Sequence, residues 1–346
     1  MLLHHRGVCV EVGGCRDGIE ATLLSPINLK NIAAGGDPAT VDAVREVIEA
    51  GGNAVDGAVA GVFTSMVAES TLTSAGGGGV MMVCPADGEP VVFDFFTDMP
   101  TGCAAGEDID FFRVTVDFGP ATQDFHIGRG SAGVPSNVAG LLHAQERLGR
   151  LKLKAVLAPA IRAAGKGIPI SGQQAMFVQM LAPILTHEPS GQALYAPDGK
   201  LLEEGDRIVM PKFAAFLEEL AVEGSRMFYH GETARLIADW AESGGLIQRS
   251  DLENYRVQER KPLVCNFCDH TVLLNPPPAS SGVLVDFTPL SRRLNCHEEL
   301  MSVREILDHG PSYLRQRKVF EKSGQFETVV DALVEEWKTG VRGNPD

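Results

Sequence analysis

The apolar positions along this chain change period several times, and each change marks an element. Asp37-Pro38 opens the first helical pattern, with Asp37 placed to cap and Pro38 suited to the first helical position. Val41, Val44, Val47 and Ile48 then share a face, and Gly51-Gly52 ends the run. Asn53 caps a second helix with Asp56 three residues on, and Val55, Val59, Val62, Phe63 and Met66 recur at helical spacing. So short a break between two helices predicts a helical hairpin. After Ser74-Ala75 and four glycines, the apolar runs Val80–Cys84 and Val91–Phe96 flank Asp87-Gly88, which predicts a β-hairpin.

Residues 101–130 show no sustained period and read as an irregular excursion with one strand. Helical spacing returns after Pro135 with Val138, Leu141, Leu142 and Leu148, and again with Val156, Leu157, Ile161 and Ala164. Pro211 starts a helix carrying Phe213, Phe216, Leu217 and Leu220; a further one carries Leu236, Ile237 and Trp240 and stops at Gly244-Gly245. Leu263–Asn275 reads as strand and halts at three prolines, and 298–338 reads as helix. No internal repeat and no linker composition appears. Paired strands covered by helices predict one α/β or α+β unit over 31–346, after a leader of about 30 residues.

Composition narrows the function classes. At 44% hydrophobic and 22% charged residues the 346-residue chain has a globular balance. Its formal net charge of −15 argues against nucleic-acid or anionic-membrane partners, which need positive surface. No apolar run is long enough to span a bilayer and none near the start resembles a secretory signal, so a cytoplasmic location is expected. Seven scattered cysteines fit reduced thiols, and Cys265-Asn-Phe-Cys268 sits in a strand-like context that suits neither a redox motif nor a zinc site. His4-His5 and His187-Glu188 lack the further ligands a metal site requires, so no metal or cofactor is expected.

Gly76–Gly79 is the most conspicuous motif. Phosphate binding would require Gly-Lys-Ser/Thr at its end, but Val80 follows; dinucleotide binding requires strand, loop, helix, and here the order is helix, loop, strand. A packing turn beneath or beside a site fits better. Arg129-Gly130-Ser131-Ala132-Gly133 lacks the first glycine of a nucleophile elbow. Glu203-Glu204, Glu218-Glu219 and Glu335-Glu336 read as solvated faces. The residues alone give no complete catalytic set.

Several segments in order nevertheless resemble the γ-glutamyltranspeptidase family: AGGNAVDGAVA (50–60), SAGGGGVMMV (74–83), FDFFTDMP (93–100), GVPSNVAGLLHAQERLGRL (133–151), APAIRAAGKGIPIS (158–171), FYHGETARLIADW (228–240), GGLIQRSDLENYRV (244–257) and NPPPASSG (275–282). The resemblance implies the large-subunit region of an N-terminal-nucleophile hydrolase. Its fold would be part of a four-layer αββα sandwich, completed by a small subunit from the same precursor. In the family a threonine, freed by self-cleavage, is the nucleophile and its α-amine the base. The acyl group, typically γ-glutamyl from glutathione, passes to water or an amine.

Two departures bear on function. The family's Thr-Thr-His segment is nowhere in the sequence, so no catalytic residue is assigned and the nucleophile is expected beyond Asp346. The arginine that pairs with the substrate carboxylate corresponds to Phe96 and its neighbouring glutamate to Thr97; Phe96, Thr97 and Asp98 are the candidate substrate-binding residues. A phenylalanine cannot replace a bidentate arginine. It would favour an apolar or aromatic acyl group, leave the carboxylate to another residue, or point into the core of its strand. The segment after Gly282 also departs from the family's helix. An inactive remnant or scaffold lacking the threonine is the alternative reading, and a nucleotide-binding protein a third.

Overall fold

The computed structural model describes residues 3–5, 31–103, 108–119, 121–267 and 270–276. The expected leader (apart from its first strand), Cys268, the helix over 298–338, Glu335-Glu336 and the divergence after Gly282 lie outside the described residues. The chain forms two compact units, Met1–Glu259 and Arg260–Asp346. The fold is α+β.

In the first unit, β1 (Leu3–His5) pairs antiparallel with β2 (Asn31–Ala33). Helix α1 (Pro38–Glu49) follows, and the Asp37 carboxyl accepts the Ala39 N–H at 2.8 Å as its cap. Its buried stripe is Thr40, Ala43, Val44 and Val47, shifted by a fraction of a turn from the predicted face. Helix α2 (Ala54–Ala68) is buried on nearly every side, which explains why its apolar residues outnumber one stripe. The predicted hairpin is present: β3 (Gly79–Val83) pairs with β4 (Val91–Phe95), register Val83 opposite Val91.

The excursion differs from expectation. Two strands, β5 (Phe112–Asp117) and β6 (Thr122–Ile127), form a second hairpin in place of a single strand. Phe112, Val114 and Val116 alternate with polar residues, but only Val116 is fully buried and β6 has no such alternation. Next come α3 (Asn137–Leu148), α4 (Leu153–Lys166) and the short β7 (Ile168–Pro169). Three helices over a stretch without a clear period follow: α5 (Gly172–Met180), α6 (Ala182–Leu185) and α7 (Pro189–Tyr195). Strand β8 (Arg207–Ile208) pairs with β7. Helices α8 (Pro211–Glu223), α9 (Ser225–Tyr229), α10 (Glu232–Ala241) and α11 (Arg249–Asn254) lead to β9 (Gln258–Arg260), where the unit ends and the sheet order becomes β3-β4-β9.

The main core joins α2, α3, α4 and α8 to strand β4 through Phe63, Phe93, Leu141, Leu157, Leu217 and Leu220. A second cluster gathers Val67, Ala164, Val178, Tyr195 and Ile208. In the second unit the expected continuous strand is a hairpin, β10 (Leu263–Phe267) against β11 (His270–Leu274). Among the described residues no helix is long and apolar enough to cross a membrane.

Candidate active site

Strand β4 ends at Phe95, and the next three residues are the candidates Phe96, Thr97 and Asp98. The backbone from Phe95 to Asp98 is pinned at three carbonyls. The buried Ser136 hydroxyl donates to Phe95 O at 2.7 Å, Tyr255 OH donates to Phe96 O at 2.9 Å, and the Val134 N–H donates to Asp98 O at 2.9 Å. The Phe96 N–H is taken by the Asp94 carboxyl at 3.1 Å. With the backbone so held, the side chains face outward: Phe96 is 61% exposed, Asp98 is exposed and Thr97 is half-buried. A core-facing Phe96 is therefore corrected. The buried run of β4, residues 92–95, ends with the Phe95 ring, and Phe96 lies past the last strand residue.

The glycine run is the other half of this device. Its order is helix, loop, strand, and its Gly77 carbonyl accepts the N–H groups of Ser136 at 3.0 Å and Asn137 at 2.8 Å. Those are unpaired donors at the start of α3, so the loop caps the helix where no side chain does. Asn137 reciprocates, donating its side-chain amide to Ser74 O at 2.7 Å. The loop is thus a packing turn that seats α3 against the end of β4. The sequence could signal Ser136-Asn137 only as cap-type residues after Pro135; their partners lie about sixty residues upstream and leave no local pattern.

The opposite end of α3 is held as firmly. Asp56 is fully buried, and its carboxyl accepts the N–H groups of Asn53 (3.0 Å), Arg150 (2.9 Å) and Leu151 (3.2 Å) together with the Gln145 amide (3.3 Å). Asn53 in turn donates to Leu148 O at 2.6 Å. One capping box therefore fixes the start of α2 to the α3–α4 junction.

Two tyrosines complete the support. Tyr229 OH donates to Pro135 O at 3.0 Å and accepts the Ala139 N–H at 3.1 Å, and burial raises its pKa. Burial also pushes Tyr255 up to about 12, with Asp98 and Asp94 adding to the rise. A tyrosine favoured as the neutral phenol in the fold contributes stability that is complete below its unfolded pKa of about 10 and is lost as pH rises through the folded value. The urea midpoint should therefore fall between pH 10 and about 12. Tyr255→Phe should cost about 1 kcal/mol at neutral pH and flatten, without abolishing, the alkaline loss, since Tyr229 titrates too. An unchanged alkaline profile in that variant would contradict the assignment.

The remaining candidates are dispersed. His187 packs against Phe112 with ring centroids 4.7 Å apart, and Glu203 pairs with Lys200 at 3.1 Å. Among the described residues no group of three potential metal ligands converges. His143, absent from the sequence-based candidates, meets Glu259 at 2.8 Å, and this contact lowers the glutamate's pKa.

Residues 40–308 match the family model described as Gamma-glutamyltranspeptidase. The chain is 34% identical over 249 residues to the Acylase ACY 1 proenzyme of Pseudomonas sp. (strain SE83), covering 71% of this chain and 44% of that protein. It is 32% identical over 240 residues to the Glutathione hydrolase proenzyme of Pseudomonas aeruginosa, covering 69% and 41%. The chain thus spans less than half the length of these curated relatives. The crystal structure of Helicobacter pylori gamma-glutamyltranspeptidase superposes with a TM-score of 0.65 at 29% identity, covering 78% of this chain and 74% of that one. On the family match, these identities and the shared α+β fold of the N-terminal-nucleophile hydrolases, this chain belongs to the γ-glutamyltranspeptidase family.

Proposed function

We propose that this chain is the large-subunit portion of a γ-glutamyltranspeptidase-like acyltransferase or amidohydrolase, with Phe96, Thr97 and Asp98 at its acyl-binding wall. The reaction would cleave an acyl amide, as the family does with γ-glutamyl amides such as glutathione, and pass the acyl group to water or an amine. The nucleophile would be a threonine supplied by the small subunit of the same precursor. Its hydroxyl adds to the amide carbonyl while its α-amine takes the proton; the leaving amine is protonated as the acyl-enzyme forms, and water or a second amine releases the acyl group.

The observation that carries this reading is the pinned display of Phe96 at the end of β4 in a chain of this family. A 61% exposed phenylalanine on a fixed backbone offers an apolar face and no partner for a carboxylate. The acyl group favoured is therefore apolar or aromatic rather than γ-glutamyl.

The test is to express a reading frame that extends past Asp346 and follow it by intact mass. Two fragments, the second beginning with threonine, are expected, with phenylacetyl anilide cleaved at least about tenfold faster than the γ-glutamyl anilide, the difference of one good polar contact. Phe96→Arg should shift that preference toward the γ-glutamyl substrate. An uncut, inactive product would favour the remnant or scaffold reading, which the loss of the family arginine also suits.

A further inference from the structure

Helix α10 departs from its sequence pattern. Leu236, Ile237 and Trp240 make the predicted apolar face, yet Leu236 is 53% and Trp240 41% exposed, while Ala234 and Ala241 take the buried positions. The open face borders a cleft of about 510 Å³, whose other walls include Phe228, Ile247, Pro135 and the backbone of Gly133. This volume falls within the range of small-molecule sites, and the lining is almost wholly apolar.

One wall residue, Trp240, carries a charge against its ring. The Arg129 guanidinium lies over the Trp240 ring, 5.5 Å from its centroid, and donates to Trp240 O at 3.3 Å. Among the described residues its buried Nε has no hydrogen-bond partner and the guanidinium forms no ion pair. In a chain of net charge −15, an arginine seated on an indole without a carboxylate is a ready anion acceptor with an apolar floor.

We infer that the cleft along α10 binds a small apolar carboxylate, its acid group on Arg129 and its hydrocarbon against Trp240, Leu236 and Ile237. A β-carbon added at Gly133, which lines the cleft, would stand 3.3 Å from the Thr97 Cβ, so the cleft adjoins the pinned segment. The inference deepens the reading proposed above, and rests on it for the ligand's origin: hydrolysis of an apolar acyl amide adds water across the C–N bond and releases an acid of this class. Binding itself requires no turnover.

The probe is 4-phenylbutyrate, titrated into the full chain while tryptophan emission is followed. The chain has two tryptophans, Trp240 and Trp337, so a Trp337→Phe background assigns the signal. A saturable change is expected, at least about tenfold weaker with Arg129→Gln, as for the loss of one charge-assisted contact. Leu236→Glu, at a position open enough to leave the fold intact, should weaken it similarly, and 4-phenylbutylamine should not bind. No saturable response, equal binding of the amine, or binding untouched by both variants would overturn the inference. Binding with a precursor that never cleaves would preserve this site and sink the enzymatic reading; cleavage without binding would do the reverse.

Discussion

Asp56→Ala is expected to destabilise the protein by about 4 kcal/mol, at the severe end for a single substitution. The reason is the number of groups that depend on one fully buried carboxyl. Three backbone N–H groups and the Gln145 amide would lose their acceptor together. Each buried donor left unmatched costs about 1–3 kcal/mol, and the sum falls short of additive because the α3–α4 junction relaxes. Asp56→Asn should cost less, about 1–2 kcal/mol. Its oxygen can keep the three backbone donors, but its amide then faces the Gln145 amide. Gln145 cannot turn over freely, because the same nitrogen donates to Leu151 O at 2.7 Å. Urea unfolding of the full chain checks the ranking. Equal losses in the two variants would mean that the carboxyl acts mainly by filling space.

The same capping box shows which parts of the fold local sequence could reveal. Asn53 and Asp56 are three residues apart, so the helix start was readable. That the Asp56 carboxyl also holds Arg150 and Leu151, more than ninety residues on, was not. The helices with regular apolar spacing and clear stops, α1 through α4, α8 and α10, were legible for that reason, as was the β3–β4 hairpin with its Asp-Gly turn. The stretch from 172 to 195 was not, because α5 mixes Gln174 and Ala175 in its buried set and presents no apolar stripe. In the 112–127 hairpin one strand alternates and the other does not, so the sequence suggests only one.

The candidate site rests on a different kind of signal. Resemblance alone points to Phe96, Thr97 and Asp98, and the structure adds what periodicity could not: the strand ends one residue earlier, so Phe96 turns outward. The residues that hold the segment, Ser136 and Tyr255, carry no motif of their own. Ser136 looks like an ordinary helix cap, yet its side chain caps nothing and instead reaches Phe95 O. Tyr255 lies 159 positions from the carbonyl it binds. Such long-range contacts to backbone leave no trace in a single sequence, because any residue type supplies the carbonyl.

The glycine run offers the sharpest test of that arrangement, since its members are alike in sequence and unlike in space. A β-carbon at Gly76 would have only the Ser74 hydroxyl near it, at 3.6 Å, which is ordinary contact. A β-carbon at Gly78 would stand 2.5 Å from the Ser136 hydroxyl and 2.8 Å from the Thr97 backbone nitrogen. Neither neighbour can yield cheaply: Ser136 is tied to Phe95 O, and Thr97 lies between two pinned carbonyls. Gly78→Ala should therefore cost about 2–3 kcal/mol, the range for overpacking a tight interior, and should speed amide exchange at residues 95–98. Gly76→Ala should stay within about 0.5 kcal/mol of the parent, as a substitution clear of such features does, with exchange unchanged. In a processed, active precursor the Gly78 variant should lose acyl transfer while the Gly76 variant keeps it, because only the former displaces the proposed acyl-binding wall at Phe96. Equal tolerance at the two positions would show that the loop is a loose connection, and the pinning of β4's end by α3 would have to be abandoned.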